Sequence, residues 1–246
     1  MARSSPLASY ISDLATSGKT PDAGFIGYLA SLEQINAVSP GVASSIVSEL
    51  ADQRHNLKMI ASENFSSLAV QAALGNLFTD KYAEGFPYHR FYAGCENVDE
   101  IESMAAELAC SLFEADHAYV QPHSGADANL IAYWAILAAR IQTPFMETVG
   151  KADPSALSDQ EWNTLRTSFG NQRLLGMDYY SGGHLTHGYK HNVSARMFDA
   201  YSYDVDRETG LINYDVLRTQ AKKLSPLILL AGYSAYPRKI NFRIFK

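Results

Sequence analysis

Apolar residues recur at helical spacing through the first part of the chain. Leu7, Tyr10, Ile11 and Leu14 share one face of a 3.6-residue repeat. Phe25 to Ile35 carries a second stripe, and Val42, Ile46, Val47 and Leu50 a third. Pro21 and Pro40 stand between the stripes, where proline ends one helix or opens the next. Short helices with one apolar face must bury it on something else, so residues 1–57 read as a helical arm, with a partner subunit as one candidate for what covers it. Ser67 to Leu77 shows the helical pattern again, after a short apolar segment at Leu57–Ile60.

Further along, the pattern becomes an alternation. Val98–Glu114 reads as an amphipathic helix, His117–Val120 as a strand, Gln121–Asp127 as a turn and Ala128–Arg140 as an apolar helix. Asn171–Met177 holds a short strand, and the pattern allows a helix after His184. Met197–Tyr203 is strand-like, Tyr214–Lys223 helical, and Leu227–Ala231 a buried strand. Strands alternating with helices predict an α/β domain over residues 58–246 with a mainly parallel sheet. Residues 141–170, with Pro144, Pro154 and a polar helix near Ser158–Ser168, read as a peripheral insertion.

Composition narrows the picture slightly. A hydrophobic content of 47% and a charged content of 19% suit a soluble globular chain of 246 residues. The formal net charge, 20 − 26 = −6, argues against a nucleic-acid surface. It leaves room for a small anion held by a few aimed amides. Cys95 and Cys110 form no C-x-x-C pair and no disulfide framework, which points to a reducing, cytoplasmic setting. Met1–Ser17 lacks the apolar core of a signal peptide, and no apolar run approaches a membrane span.

Three stretches carry dense chemistry. Ser181-Gly182-Gly183-His184-Leu185-Thr186-His187-Gly188 sets two imidazoles beside glycines that allow close backbone approach. A polar turn before a helix would explain part of it. His184, His187 and His191 have a spacing that a metal could use, but no nearby Cys or Glu completes a shell, and no metal is assigned. Gln121-Pro122-His123-Ser124-Gly125-Ala126-Asp127 follows an expected strand and opens an expected helix, where free amides and the helix dipole suit a phosphate. Ser124 as a plain N-cap with Asp127 is compatible with that role. Thr79 to Gly94 holds five aromatics with Glu84, Lys81 and Arg90. It reads as a site loop or an aromatic interface loop. Glu84 is a candidate acid or base, or else the ion-pair partner of Lys81 or Arg90, and Arg90 itself could grip a carboxylate.

Six motifs in order resemble the serine hydroxymethyltransferase family. They are Ile60-Ala61-Ser62-Glu63-Asn64-Phe65, Lys81-Tyr82-Ala83-Glu84-Gly85, Arg90-Phe91-Tyr92, Val120-Gln121-Pro122-His123-Ser124-Gly125, Gly182-Gly183-His184-Leu185-Thr186-His187-Gly188, and Ala231-Gly232-Tyr233-Ser234-Ala235-Tyr236. The resemblance implies the first part of a type I pyridoxal-phosphate (aspartate aminotransferase-like) fold. It also implies pyridoxal 5′-phosphate as cofactor and tetrahydrofolate as co-substrate. The reaction would be reversible transfer of the serine hydroxymethyl group to tetrahydrofolate, giving glycine and 5,10-methylenetetrahydrofolate. Ser124, Gly125 and Ala126 would form the phosphate cup. His184 would stack on the pyridine ring, and Ser234 would lie near the cofactor's phenolic oxygen. Ser62 and Tyr92 would meet the amino-acid substrate. Tyr82 and Glu84 would reach a neighbour's site across a homodimer, which could be part of a tetramer, with Glu84 handling a proton. Gly183, Leu185 and Tyr179 would line the folate pocket.

Departures accompany the resemblance. Phe91 replaces the usual tyrosine, Ala126 a frequent serine, and Tyr179 a smaller apolar residue. The segments that in the family carry an aspartate for the pyridine nitrogen, a lysine that binds the cofactor covalently and an arginine for the substrate carboxylate have no counterpart here. The chain alone is therefore expected to be inactive, and an incomplete sheet to leave an exposed edge that favours poor solubility. A non-catalytic relative that binds a phosphorylated ligand or lends Tyr82 and Glu84 to a partner chain is the alternative.

Overall fold

All three stripes of the arm fold as helices in the computed structural model, which describes residues 5–246. They are α1 (Pro6–Ser17), α2 (Ala23–Val38) and α3 (Pro40–His55). Each start is written locally. The Ser5 side chain accepts from the Ala8 amide ahead of Pro6, the Asp22 carboxylate accepts from Phe25, and Pro40 opens α3, where a missing N–H costs nothing. The Leu7 amide donates to Glu33 Oε1 at 3.0 Å, and Tyr10 meets Phe25 edge to face. Burial is thin: Leu29 and Ala43 are the buried residues of the three helices.

Beyond a turn at Ser62, α4 (Leu68–Leu74) leads to a hairpin of β1 (Gly85–Phe86) and β2 (His89–Arg90), paired antiparallel with Gly85 opposite Arg90. The hairpin was legible only as irregular chemistry, because two-residue strands leave no alternation to detect. α5 (Glu96–Phe113) follows. The chain divides into two compact units, the first ending at Leu108 and the second spanning Ala109–Lys246.

The second unit holds the sheet. α6 (Gly125–Leu137) passes through a π-helical turn, Ala138–Gln142, into α7 (Thr143–Val149). α8 (Asp159–Gly170) starts with a reciprocal Ser158–Glu161 capping box, and Lys151 beside Glu161 pulls its carboxyl down to about 2. Residues 141–170 bury Met146 and Leu165, and Phe169 lies edge-on to Trp134. Then come β3 (Arg173–Met177), α9 (Ser194–Met197), β4 (Asp199–Tyr203), α10 (Tyr214–Leu224), β5 (Ile228–Leu229) and α11 (Phe242–Phe245). The strand order is β4-β3-β5, with both pairings parallel. Leu174 to Met177 are all buried, as a central parallel strand requires. Leu174 packs among Tyr133, Leu137, Phe198 and Ile228. Leu175 belongs to a second cluster with Tyr203, Ile212, Leu217 and Tyr236.

Three expectations change. His117–Val120 forms no strand, because no described strand lies beside it and a strand exists only through its ladder. β5 is two residues long, paired on one side with Leu174 and Leu175. The helix allowed after His184 is a single 3₁₀ turn, Leu185–His187, stopped by Gly188 at φ 94°. Among the described residues no helix is long and apolar enough to cross a membrane.

Candidate functional site

In the second unit, one helix organises the chemistry. The Ser124 hydroxyl accepts from the Asp127 amide at 3.0 Å and so starts α6. The amides of Gly125 and Ala126, in the first turn, have no intrahelical acceptor. A Cβ built on Gly125 would meet nothing within 4 Å. The glycine is therefore not demanded by packing, and the space beside the two amides is open. The Ser124 hydroxyl, already accepting, keeps its own hydrogen to donate. Three donors at the positive end of a helix fit a phosphate group.

Five residues further, about 7 Å along the axis, the same helix grips the histidine loop. Asn129 Nδ2 donates to Thr186 Oγ1 at 3.0 Å, and the Tyr133 hydroxyl donates to the Thr186 carbonyl at 2.6 Å. The Thr186 amide donates to His184 Nδ1 at 3.1 Å, so the His184 side chain caps its own 3₁₀ turn. From the other side, the Ser234 and Ala235 amides both donate to the Gly182 carbonyl at 2.9 Å. Gly182 sits at φ 102° with the Tyr236 backbone in the space of its missing Cβ. A Cβ on Gly183 would lie 2.0 Å from the Met177 carbonyl oxygen. The loop thus leaves His184 and Leu185 exposed, with Ser234 bonded through its amide to Gly182 and Ser124–Ala126 at the head of the helix that holds the loop.

His187, beneath the loop, is 9% exposed, and its Nδ1 has no partner. Burial lowers its pKa below the usual imidazole value, the neighbouring His184 adds to this, and a bond to the Met177 backbone partly opposes it. Tyr179 packs against Tyr180 and Tyr189, and with His184 and His187 it lines a cleft of about 630 Å³. Among the described residues no group of three or more His, Cys, Asp or Glu side chains gathers as a metal site.

The first unit carries the other expected residues. Arg90 is buried under its hairpin: Nε meets Asp99 Oδ1 and Nη2 meets Glu102 Oε2, both at 2.7 Å, and Nη1 donates to the carbonyls of Ala83 and Gly85. It is thus spent on α5 and its own hairpin, and neither Arg90 nor Lys81, which donates to the Ala93 carbonyl, pairs with Glu84. Glu84 instead accepts a long 3.4 Å bond from the Tyr92 hydroxyl, whose pKa the carboxylate raises. Tyr82 and Tyr92 meet edge to face at 5.3 Å. Tyr82, Glu84 and Tyr92 are all exposed, Tyr82 at 70%. Ser62 lies in an exposed turn.

Pattern reading missed Asn129, Tyr133 and Thr186 as the groups that tie cup to loop, and Asp99 and Glu102 as the partners of Arg90. A signal existed for the first pair: Asn129 and Tyr133 stand one turn apart in an otherwise apolar helix.

Taken together, the fold and the second unit's cluster define an α/β protein in which a helix with free N-terminal amides is hydrogen-bonded to the loop that carries an exposed imidazole. Comparison with known proteins is more specific. The family model described as serine hydroxymethyltransferase matches residues 35–147 and 162–246. Similar proteins, each called serine hydroxymethyltransferase, include one from Treponema pallidum, 60% identical over 233 residues (94% of this chain and 41% of the relative). One from Salinispora tropica is 56% identical over 219 residues, 89% of this chain and 46% of the relative. One from Chlamydia trachomatis is 48% identical over 222 residues, 90% of this chain and 45% of the relative. The chain belongs to the serine hydroxymethyltransferase family, whose fold is the type I pyridoxal-phosphate fold. It spans less than half the length of these relatives.

Proposed function

We propose that this chain contributes the cofactor cup and folate wall of a pyridoxal 5′-phosphate-dependent hydroxymethyltransferase acting between serine and tetrahydrofolate. The observation that carries the proposal is α6: its open first turn offers donors to a phosphate, and its next two turns hold His184. Pyridoxal 5′-phosphate, when bound, supplies an electron sink for breaking bonds at the α-carbon of an amino acid. Ser124 and the amides of Gly125 and Ala126 would hold its phosphate, with one hydroxyl fewer than a serine at position 126 would give. His184 would lay a flat face against its ring, and the Ser234 hydroxyl would meet its phenolic oxygen. Leu185, Gly183 and Tyr179 would border the folate, with Tyr179 filling space that a smaller residue would leave.

Glu84 would take and return the proton of the serine hydroxyl or of the folate, oriented by Tyr92, while Ser62 and Tyr92 touch the amino acid. Because Tyr82, Glu84 and Tyr92 are exposed together on the hairpin, they are suited to completing a site on a second copy of the chain. The covalent lysine and the partners of the pyridine nitrogen and substrate carboxylate belong to the family's pattern outside the residues described. The chain alone should therefore bind without turning over.

Titration of the chain with pyridoxal 5′-phosphate, and in parallel with pyridoxal, tests this. The phosphate-bearing compound should bind more tightly, and Ser124→Ala should weaken it by roughly tenfold. Equal binding of the two compounds, or binding unaffected by Ser124→Ala, would overturn the proposal.

A further inference from the structure

His184 is held through one of its two ring nitrogens. The Thr186 amide donates to Nδ1 at 3.1 Å, and Thr186 Oγ1 lies 2.9 Å from the same nitrogen. Thr186 is buried, and Asn129 Nδ2 donates to its hydroxyl oxygen at 3.0 Å. Because the Thr186 amide can only donate, Nδ1 is an acceptor, and the Thr186 hydroxyl, accepting from Asn129, turns its own hydrogen to the same nitrogen. A nitrogen that receives both an N–H and an O–H has no room for a hydrogen of its own. Tyr133, on the next turn of α6, fixes the Thr186 carbonyl and keeps the donor pair in place.

We infer that Asn129 and Thr186 are positioning residues that set the tautomer and ring plane of His184, leaving the ring hydrogen on Nε2. The imidazole then offers a flat face and one outward donor, with no ring lone pair left to act as a base. Its use in stacking rests on the function proposed above; the relay itself does not. Because the relay starts on the helix that also carries Ser124, the phosphate-binding turn and the imidazole share one rigid element.

The chain labelled with ¹⁵N in its histidine rings gives the test without cofactor, His184 being assigned by the signals lost in His184→Gln. Nδ1 should read as a bare acceptor and Nε2 as protonated. Thr186→Val, which keeps the shape and removes the hydroxyl, should raise the Nδ1–H share roughly fivefold. Asn129→Ala should shift it in the same direction, and Thr186→Ser should restore the original ratio. A ring hydrogen on Nδ1 in the unaltered chain, a ratio unmoved by Thr186→Val, or no recovery with Thr186→Ser would overturn the inference. If Thr186→Val fails to fold, Asn129→Ala at its half-buried position decides the matter by the same ratio. The stated tautomer together with no pyridoxal 5′-phosphate binding would keep the relay and remove the proposed function.

Discussion

The two clusters of functional side chains are built in opposite ways. On the hairpin of the first unit the anchor is buried and charged while the working groups stand in solvent: Arg90 is closed in by Asp99, Glu102 and two carbonyls, and Tyr82, Glu84 and Tyr92 face outward. In the second unit the anchors are neutral hydrogen bonds from one helix, and His184 and Tyr179 line a cleft beside the sheet. Under the proposed function, the first arrangement would present groups to a second copy of the chain and the second would receive the cofactor. The difference shows in the surroundings too. Leu57, Met59, Leu74 and Leu77, near the hairpin in sequence, are each more than 70% exposed. Such exposure is what the proposed docking of a second copy would cover.

The comparison breaks most visibly at Arg90. Arg90→Met removes the guanidinium from buried Asp99 and breaks its 2.7 Å bond to half-buried Glu102, a substitution that damages more than the loss of a surface pair would. Hydrogen exchange should show protection lost across residues 83–102 while β3 and β4 keep theirs. Arg90→Lys, with one ammonium for two carboxylates and two carbonyls, should restore only part of it. Loss of protection in β3 as well would show that the two clusters are not separately anchored.

A second expectation concerns pH and belongs to the second unit. Burial holds the folded-state pKa of His187 below the ordinary 6.5. As pH falls through about 6.5, the unfolded chain takes up a proton that the folded chain refuses. Stability is therefore fully present above that pH and declines below it until the depressed pKa is reached, by at most one proton's slope. His187→Gln should flatten this part of a stability–pH curve measured by denaturant unfolding. An unchanged slope would assign the acid sensitivity to other groups.

The smallest effect sharpens the reading of the helix terminus. Asp127 places a carboxylate in the same first turn as the free amides. Asp127→Asn should tighten binding of pyridoxal 5′-phosphate by roughly two- to fivefold and leave pyridoxal unaffected. Weaker binding would place the phosphate elsewhere.

Much of this was legible in the sequence. The arm's apolar stripes and prolines gave α1, α2 and α3, because helix starts are decided by neighbours a few residues away. Asn171–Met177 reads as holding a short strand, and β3 lies within it, whereas the segment read as the buried strand, Leu227–Ala231, yields only the two-residue β5. Ser124, Gly125 and His184 were marked by residue type in a glycine-rich setting. What was hidden depends on distant chain segments. His117–Val120 has strand composition and no ladder partner, β5 is trimmed by the length of its neighbour's contact, and Thr186 reads as one more loop hydroxyl until Asn129 and Tyr133, more than fifty residues earlier, close on it. In the sequence Arg90 stays open between pairing with Glu84 and gripping a carboxylate, because its actual partners lie on the next helix, nine and twelve residues on.

The central claim is that α6 joins an anion-binding turn to the imidazole loop. The most direct measurement is amide hydrogen exchange of the chain with and without pyridoxal 5′-phosphate. The account predicts that exchange slows together in residues 124–129 and 182–188, to the same extent at each ligand concentration. Slowing at 124–126 with the histidine loop unchanged would contradict it, since the helix would then bind a phosphate without engaging His184.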